Sequence, residues 1–341
     1  MGVKIKDIVP FKEATLDHLK GKTIAVDAMN TLYQFLSIIR QRDGTPLKDS
    51  EGRVTSHLSG LFYRMSNLVE MGIEPVLVFD GKPPDLKEGE IKSRRKIRAE
   101  AEKAREKALE EGKKDEARKY AQRAAKLSKE MVGQSKELLD AMGLPWVQAP
   151  GEGEAQASHM TKKGDTWGTG SQDFDSLLYG SPVLVRNMTI TGKRKLPGKD
   201  QYKEITPEIM KLDELLEKHG IDQRQLIAIG VLVGTDYNDG IKGYGPKKSL
   251  KLAQEHGGLK EILETEVGEE FEIDPLEVEK LFLEPSITDD YEIEWKDPDI
   301  EKIKEFLCEK HDFSESRIET GIERLEKGAG ERAQESLEKW S

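Results

Sequence analysis

The chain has 341 residues, a charged fraction of 35% and a formal net charge of −11. Its length allows one large domain or two closely packed ones. Its negative charge argues against a protein that coats nucleic acid over its whole surface, although local basic patches can still bind DNA. A single cysteine, Cys308, excludes an internal disulfide framework and a zinc site built from cysteines. Because the longest apolar run, 226–233, is too short for a bilayer and no secretory signal is found, we expect a cytoplasmic protein with no membrane contact.

Two short apolar runs near the start of the chain each end in an aspartate. Residues 23–27 precede a helical pattern over 29–40, and a second run covers 75–80. Apolar strands separated by helical segments are typical of a parallel sheet that is covered on both faces. The functional sites of such sheets lie at the carboxyl ends of the strands, where Asp27 and Asp80 fall. Either aspartate alone could instead cap a helix.

Basic residues dominate the segment 92–129. It holds 15 Lys or Arg and 7 Asp or Glu, a local charge of +8. The segment lacks proline and is rich in alanine, so it is predicted to be helical with a break near Gly112. A solvated helical hairpin with ion pairs one turn apart would explain much of this charge. The positive excess so soon after Asp80 favours contact with phosphates.

Two carboxylate pairs lie close together in the middle of the chain. They are Glu152 with Glu154 and Asp173 with Asp175, each beside glycine or another small residue. A helix that begins at Gly153 would place the first pair at its positive N-terminal end. Converging carboxylates repel one another unless a hard cation such as Mg²⁺ or Mn²⁺ neutralises them. The alternative is a solvated acidic loop in a highly charged chain.

A seventh acid follows an apolar helix predicted over 223–235. After Asp236 comes a glycine-rich loop, and a helix that starts with lysines follows it. Backbone N–H groups and lysines in this arrangement can hold a phosphate, although an ordinary turn would look similar. The loop lies between a helix that ends at an acid and a helix that begins with lysines. This arrangement favours binding of the DNA backbone without sequence preference. Residues 191–203 are polar and basic and predict a turn or hairpin.

Seven acids therefore lie at the starts or ends of predicted elements. Two divalent cations could share them, hold a phosphodiester in line for attack and lower the pKa of the attacking water. Together with the basic segment and the loop, they indicate a metal-dependent phosphodiesterase that acts on nucleic acid. The chain contains no G-x-x-x-x-G-K-[ST] sequence, which argues against an ATP-driven machine.

Five motifs resemble, in order, those of the archaeal and eukaryotic flap endonucleases of the structure-specific 5′ nuclease superfamily. They read DAMNTLYQFL from Asp27, VFDGKPP from Val78, APGEGEAQ from Ala149, GSQDFDSLL from Gly170 and GTDYN from Gly234. The resemblance covers essentially the whole chain. It implies an α/β fold: a PIN-like nuclease core with a mostly parallel central sheet flanked by helices, a helical arch or cap, and a helix–two-turn–helix DNA-binding element.

The same resemblance implies an activity and its cofactors. The family cleaves DNA phosphodiester bonds of 5′ flaps at the junction of single strand and duplex. A 5′–3′ exonuclease activity accompanies this cleavage, and the enzymes act in Okazaki-fragment maturation and repair. The implied cofactors are two Mg²⁺ ions, for which Mn²⁺ can substitute, and a K⁺ ion at the helix–two-turn–helix element. The implied partner is branched DNA with a 5′ flap.

Individual positions match residues of the family. The metal ligands fall in two sets, Asp27, Asp80, Glu152 and Glu154 in one and Asp173, Asp175 and Asp236 in the other. Two catalytic cations that stabilise charge at the scissile phosphate match Lys87 and Arg94. Positions that match DNA contacts are Gly2, the stacking aromatic Tyr33, Arg40, Arg64, Gly243, Gly245, Lys247 and Lys248.

The resemblance also divides the chain into regions. These are a nuclease region (1–98), an arch or cap (99–135), a second nuclease region with the helix–two-turn–helix (136–256), a C-terminal helical region (257–327) and a flexible tail (328–341). Glycines 168 and 170 stand where the family has bulkier residues, so the strand around them is expected to be less rigid.

The tail resembles the motif that binds the sliding clamp (PCNA). Gln334, Leu337 and Trp340 occupy three of its anchor positions, but the last anchor, an aromatic in the family, is Ser341. A small polar side chain there forfeits roughly 1.5–3 kcal/mol of apolar burial. Clamp binding is therefore expected to be present but weakened.

Other functions stay open at this stage. A 5′ exonuclease, or a bubble- or junction-cutting enzyme of the same superfamily, is the nearest competitor; bubble-cutters carry far longer insertions than the basic segment found here. A non-catalytic, clamp-recruited DNA-binding module would be favoured by the loss of a ligand acid, and all seven are present. A PIN-like ribonuclease is disfavoured by the basic segment and the glycine-rich loop. We expect a monomer.

Overall fold

The computed structural model describes residues 2–41, 44–189, 192–195, 202–271 and 273–340. The β-strands are β1 (Lys12–Glu13), β2 (Thr23–Asp27), β3 (Glu74–Phe79), β4 (Trp146–Gln148), β5 (Gly168–Gly170), β6 (Val183–Arg186), β7 (Gly192–Lys195), β8 (Tyr202–Ile205) and β9 (Glu208–Lys211). The α-helices are α1 (Ala28–Ile38), α2 (Ser56–Glu70), α3 (Glu88–Glu110), α4 (Lys114–Arg123), α5 (Lys129–Ala141), α6 (Gly153–Lys163), α7 (Asp175–Leu178), α8 (Leu212–His219), α9 (Gln223–Val233), α10 (Pro246–His256), α11 (Leu259–Leu263), α12 (Pro275–Leu283), α13 (Ile300–Lys304) and α14 (Glu315–Trp340). Short 3-10 helices cover Leu16–Leu19, Asp85–Lys87 and Glu266–Glu270, and a π-helical turn covers Glu305–Glu309.

A seven-stranded sheet in the described ranges has the order β1-β9-β6-β5-β2-β3-β4. Strands β2 to β6 run parallel, whereas β9 pairs antiparallel with both β6 and β1. Helices cover both faces of the sheet, as alternate residues of β2 show by packing in two different cores. Ile24 and Val26 pack in the same core as Phe62 of α2, and Ala25 packs with Met160 of α6. The predicted fold class is confirmed.

The expected strand around Gly168 and Gly170, where the family has bulkier residues, is present as β5. It is hydrogen-bonded to β2 on one side and to β6 on the other. A Cβ at Gly168 would lie 3.3 Å from Val183, and one at Gly170 would lie 3.2 Å from Ile24. The centre of the sheet is therefore closely packed at both positions. The hairpin predicted over 191–203 is present as β7 and β8, although 190–191 and 196–201 lie outside the described residues.

The basic segment forms the helical pair α3 and α4, and this pair is called the arch below. The chain turns between the two helices at Gly112, which has a φ of +71°. The predicted helices and their break are both confirmed. Helix α3 packs along α4, and α4 packs against α1. The pair therefore contacts the helix that begins directly after Asp27. The first helix of this pair begins eight positions after Asp80, close to the carboxyl end of β3.

The C-terminal region contains helices α11 to α14, but residues 284–299 are neither helix nor strand. This segment, hereafter the strap, runs across α6. The side chain of Gln156 in α6 donates to the Thr288 carbonyl and accepts the Thr288 N–H, both at 2.8 Å. Tyr291, Ile293 and Trp295 pack against the apolar side chains beneath. The strap thus satisfies its backbone partly through a buried side chain rather than through a sheet.

Helix α14 continues through the region of the predicted flexible tail, from residue 328, to Trp340; the flexibility of that tail stays a prediction. Helix α14 packs on α2 so closely that a Cβ at Gly328 would lie 2.4 Å from the Val69 carbonyl oxygen. Ala329 is also buried. The residues beyond are mostly Glu, Lys, Ala and Gln, which favour a helix once its first turns are packed. Ser341 lies outside the described residues.

Across the described ranges, the helices are too short or too polar to cross a membrane.

One histidine is buried without charge compensation. His57, in the first turn of α2, is 0% exposed, and its Nε2 lies 3.1 Å from Gln134 Oε1 of α5. Its Nδ1 is buried without a hydrogen-bond partner. Burial lowers the pKa of His57 to about 4 because the charged imidazolium would lose its hydration.

We predict that His57 makes folding stability depend on pH. Its pKa rises from about 4 to its ordinary 6.5 on unfolding, so stability is complete above pH 6.5 and falls as the pH drops towards 4. The loss is about 3 kcal/mol. The variant His57→Gln keeps an amide near Gln134 and should lack this component, which guanidinium unfolding curves above pH 6.5 and near pH 4 would measure. Equal pH slopes for the two proteins would contradict the prediction.

Candidate active site

The carboxyl ends of parallel strands bring the predicted acids to one edge of the sheet. Asp27 ends β2, and its Oδ1 accepts the N–H of Asn30 at 3.0 Å, which caps α1. Asp80 follows β3, and its Oδ1 accepts the N–H of Gly153 at 2.7 Å, at the start of α6. Asp27 is therefore the N-cap of α1, whereas Asp80 accepts from the first residue of α6 without being its N-cap, and the two aspartates lie close enough to repel each other.

Helix α6 carries the first carboxylate pair at its N-terminus. Glu152 is the N-cap residue and Glu154 lies in the first turn, where Glu154 Oε1 accepts the Ser171 hydroxyl at 2.5 Å. A Cβ at Gly153 would lie 2.7 Å from Asp80 Oδ1, so glycine lets that carboxylate reach the helix. The positive end of α6 thus faces three acids from different parts of the chain.

The beginning of the chain lies among the remaining three acids. Asp175 Oδ1 accepts the N–H of Val3 at 2.6 Å, and Asp236 Oδ1 accepts the N–H of Gly2 at 3.2 Å. A Cβ at Gly2 would lie 2.6 Å from the Asp173 Cβ. Backbone N–H groups therefore partly compensate charge that the sheet edge alone would leave unpaired.

Two cations at the start of the arch reach into this cluster. Lys87 Nζ donates to Glu152 Oε2 and lies 3.4 Å from Asp236 Oδ2. Arg94 Nη2 donates to the same Asp236 oxygen at 2.8 Å, and its Nε contacts Glu90. Burial alone would raise the pKa of Asp236, but nearby positive charge, that of Lys87 first, lowers that pKa to about 2.

Most of the acids have raised pKa values because their charged forms are disfavoured. Burial raises the pKa of Asp27 and Glu154 well above the usual range, and repulsion from Asp80 and Asp175, respectively, raises it further. Burial followed by like charge raises the pKa of Asp175 to about 7. The same causes raise the pKa of Asp80 and Glu152, and burial also raises that of Asp173. The cluster therefore carries more negative charge than its surroundings stabilise.

The donor chemistry of the cluster fits hard divalent cations. All seven side chains offer carboxylate oxygens, and the sheet edge brings them together from five separate stretches of the chain. Within the described residues, no group of three or more Asp, Glu, His or Cys side chains already stands close enough to hold an ion. Lys87 and Arg94 instead neutralise part of the charge.

The predicted DNA contacts near the cluster lie on α1 and α2. Tyr33 is half-buried in α1, with the Arg98 guanidinium of the arch 5.8 Å from its ring centre. Arg40 lies beyond the end of α1 and donates to the carbonyls of Ser37 and Gly44. Arg64 lies in α2 and is also half-buried. Tyr33 thus lies in the helix that Asp27 caps, next to Arg98 of α3.

The glycine-rich loop leaves its backbone open. A Cβ added at Gly243 or Gly245 would meet no atom within 4 Å, and Gly245 is the N-cap residue of α10. Lys247 and Lys248 are exposed in the first turn of that helix, and Lys248 Nζ lies 3.6 Å from the centre of the Tyr244 ring. The loop therefore offers N–H groups and positive charge on an accessible surface.

A groove lies between the acids and this loop. Its volume is ≈ 390 Å³, and its lining includes Lys4, Lys6, Arg186, Asp173 and Pro246. The three cations were not among the residues predicted from the sequence. Lys4 and Lys6 lie at the start of the chain and Arg186 lies in β6, so no shared local pattern marks the three together. The groove has Asp7 and Asp173 in its lining as well, and it joins the edge of the carboxylate cluster to Pro246 at the start of α10.

Polar residues that hold the acids were also missed. Ser171 bonds Glu154, and Asn30 donates its side-chain amide to Asp173 Oδ2 at 2.8 Å. Asn30 follows Asp27 by three positions at the start of α1, a spacing that places it over the end of β2 and that could have singled it out. The predicted clamp anchors Gln334, Leu337 and Trp340 lie far along the chain in α14.

Two family models match the chain, the XPG N-terminal domain over residues 1–101 and the XPG I-region over residues 143–236. Flap endonuclease 1 of Aeropyrum pernix is 56% identical over 348 residues, which cover 100% of this chain and 99% of the relative. Flap endonuclease 1 of Pyrococcus furiosus is 52% identical over 341 residues, with coverage of 100% and 99%.

Solved structures agree with the sequence matches. Flap endonuclease-1 from Methanococcus jannaschii has a TM-score of 0.77 and 41% identity and covers 97% of this chain and 100% of its own. The catalytic core of Rad2 in complex with DNA substrate has a TM-score of 0.69 and 25% identity, with coverage of 92% and 96%. With full-length relatives at this identity and both XPG regions present, the chain belongs to the flap endonuclease 1 family.

Proposed function

We propose that this chain is a Mg²⁺-dependent structure-specific nuclease that cuts 5′ flaps at the junction of single strand and duplex. The observation that carries the proposal is the convergence of seven carboxylates at one sheet edge, beneath two cations from the base of a basic helical pair. A 5′–3′ exonuclease activity at the same site would follow from the same chemistry. Its place is in DNA replication and repair.

The seven acids would hold two Mg²⁺ ions, or Mn²⁺ in their place, with the first set on one side and Asp173, Asp175 and Asp236 on the other. When bound, such ions lower the pKa of an attacking water and neutralise charge on the phosphodiester. Lys87 and Arg94 already lie within reach of Asp236. They would turn from the acids to the scissile phosphate and stabilise the charge that develops there.

The surrounding elements would position the DNA. Tyr33 would stack on the base next to the cut, while Arg40 and Arg64 would contact the backbones of nearby strands. The free single strand would pass by the arch of α3 and α4, whose positive charge suits its phosphates.

The open loop before α10 would hold the downstream duplex. Gly243 and Gly245 leave backbone groups free for phosphates or a K⁺ ion, and Lys247 and Lys248 add charge. The duplex would bridge this loop and the acids along the groove lined by Lys4, Lys6 and Arg186. We further propose that the protein acts in the cytoplasm as a monomer and is recruited to DNA by the sliding clamp through α14.

Single-turnover cleavage of a 5′-labelled double-flap DNA tests the proposal, with Mg²⁺ and with EDTA, beside the equivalent single strand. The expected result is one Mg²⁺-dependent cut near the junction, with the single strand spared. The matched variant Asp175→Asn keeps an acceptor for the Val3 N–H but removes a charge. It should slow cleavage at least about 100-fold, since even outer partners of metal ligands affect activity 10–100-fold, and flap affinity should hold within a few-fold.

Other outcomes would change the assignment. Tight flap binding without a cut would indicate a non-catalytic DNA-binding module, and stepwise digestion from 5′ ends would indicate an exonuclease. If Asp175→Asn lost affinity and cleavage in parallel, that carboxylate would contact DNA rather than metal.

We predict that Lys87→Ala slows single-turnover flap cleavage about 100- to 1,000-fold, as expected for the loss of a group that stabilises transition-state charge. Flap affinity, measured by fluorescence anisotropy in EDTA, should change little, because one cation among many phosphate contacts is lost. The control is Lys92→Ala, a nearby exposed lysine paired with Glu88. Equal fractional losses of rate and affinity would mean that Lys87 only positions the substrate.

We predict that the clamp binds a peptide of residues 330–341 weakly, and that Ser341→Phe strengthens binding. An aromatic final anchor would regain roughly 1.5–3 kcal/mol of apolar burial, about 10- to 100-fold in affinity. Calorimetric titration of the clamp with both peptides measures this gain. The same titration with full-length protein includes the cost of unwinding the end of α14. Equal affinities of the two peptides would exclude a role for the final anchor.

A further inference from the structure

Asn30, like Lys87, touches both sets of acids. The backbone N–H of Asn30 donates to Asp27 Oδ1 at 3.0 Å, and its side-chain Nδ2 donates to Asp173 Oδ2 at 2.8 Å. Asp27 belongs to the set at β2, β3 and α6, whereas Asp173 belongs to the set that follows β5 and α9. Asn30 therefore ties the end of one parallel strand to the loop after its neighbour in the sheet.

A second amide sets the direction in which the Asn30 side chain faces. Gln34, one helical turn later in α1, donates its Nε2 to Asn30 Oδ1 at 2.5 Å. Because the Asn30 oxygen is engaged there, its NH₂ group is left to point at Asp173. The two amides thus form a chain from Gln34 through Asn30 to the carboxylate.

The surroundings leave this chain little room to rearrange. Asn30 and Gln34 line a cavity of ≈ 10 Å³ together with Gly170 and Met188, and Gln34 Oε1 is buried there without a hydrogen-bond partner. A Cβ at Gly170 would lie 3.2 Å from Ile24 and 3.3 Å from Met188. The walls are close-packed, so the amides keep their orientation through packing as well as through hydrogen bonds.

We propose that Asn30 is a positioning residue that couples the two carboxylate sets and holds Asp173 in its metal-facing orientation, with Gln34 as its support. The inference rests on the proposed function, because it concerns how the acids receive divalent cations. Asp236 repels Asp173, whereas Arg94 and Arg186 attract it, so without the Asn30 N–H donor the carboxylate can turn away from the other acids towards these cations. Metal affinity then falls because the ligand must be reoriented before it can bind.

The test compares three variants of the full-length chain. Asn30→Ala removes the amide but keeps the backbone N–H that caps α1 at Asp27. Gln34→Leu removes the support and keeps the donor. Ser37→Ala is the matched control, since Ser37 lies on the same helix and its hydroxyl donates to the Tyr33 carbonyl rather than to an acid. Thermal unfolding would identify any variant that is globally destabilised.

Two readouts separate positioning from general structure. The first is Mn²⁺ binding to the DNA-free protein, by calorimetry. The second is the Mg²⁺ concentration at half-maximal single-turnover cleavage of the flap. Asn30→Ala should weaken Mn²⁺ binding and raise the half-saturating Mg²⁺ concentration by about 10-fold, while the rate at saturating Mg²⁺ and the flap affinity in EDTA change little. Gln34→Leu should move both readouts in the same direction by less, and Ser37→Ala should move neither.

Metal dependence in Asn30→Ala equal to that of the unchanged protein would overturn the inference, as would an equal shift in Ser37→Ala. Failure of the proposed function would look different. If the unchanged protein bound Mn²⁺ but did not cut the flap, a weaker Mn²⁺ isotherm for Asn30→Ala would still support the positioning role. A protein that bound no Mn²⁺ at all would overturn both.

Discussion

Mutual repulsion among buried carboxylates is the constraint on which the rest of this structure depends. A parallel sheet brings the ends of β2, β3 and β5 to one edge, and acids at those ends cannot avoid one another. Isolated charges in such a place would shift their pKa values or unfold the edge. The fold instead supplies donors from several directions, including the N-terminus of α6, the N–H groups of Gly2 and Val3, and the cations Lys87 and Arg94.

These donors come from segments far apart in the chain, and this explains the unusual course of several of them. The first residues are drawn into the middle of the protein rather than left at its surface, because Asp175 and Asp236 accept their N–H groups. The arch begins immediately at the cluster for the same reason. The cations that enter the cluster are on long, flexible side chains, so they reach the acids without any change in the sheet.

Local patterns predicted the sheet and its acidic edge because apolar strands, helix starts and glycine-rich turns are each set by neighbouring residues. The break at Gly112 and the strand at Trp146 could be predicted for that reason. The helical end of α14 was not foreseen, since it depends on packing against α2, more than two hundred positions away. Arg186 and Gln156 were missed because their partners are not neighbours in the sequence. Asn30 was missed because its spacing from Asp27 does not reveal the side-chain contact with Asp173, 143 positions away.

The strap has a consequence for the order of events during synthesis. Helix α6 carries Glu152 and Glu154, and its outer side is bound by residues 284–299 through Gln156 and Thr288. Translation runs from the N-terminus, so the strap leaves the ribosome long after every acid has been made. A nascent chain therefore carries all seven acids before the helix that presents two of them is fully packed. Packing of α6, and with it of the end that presents Glu152 and Glu154, is therefore completed only after Thr288 has been made.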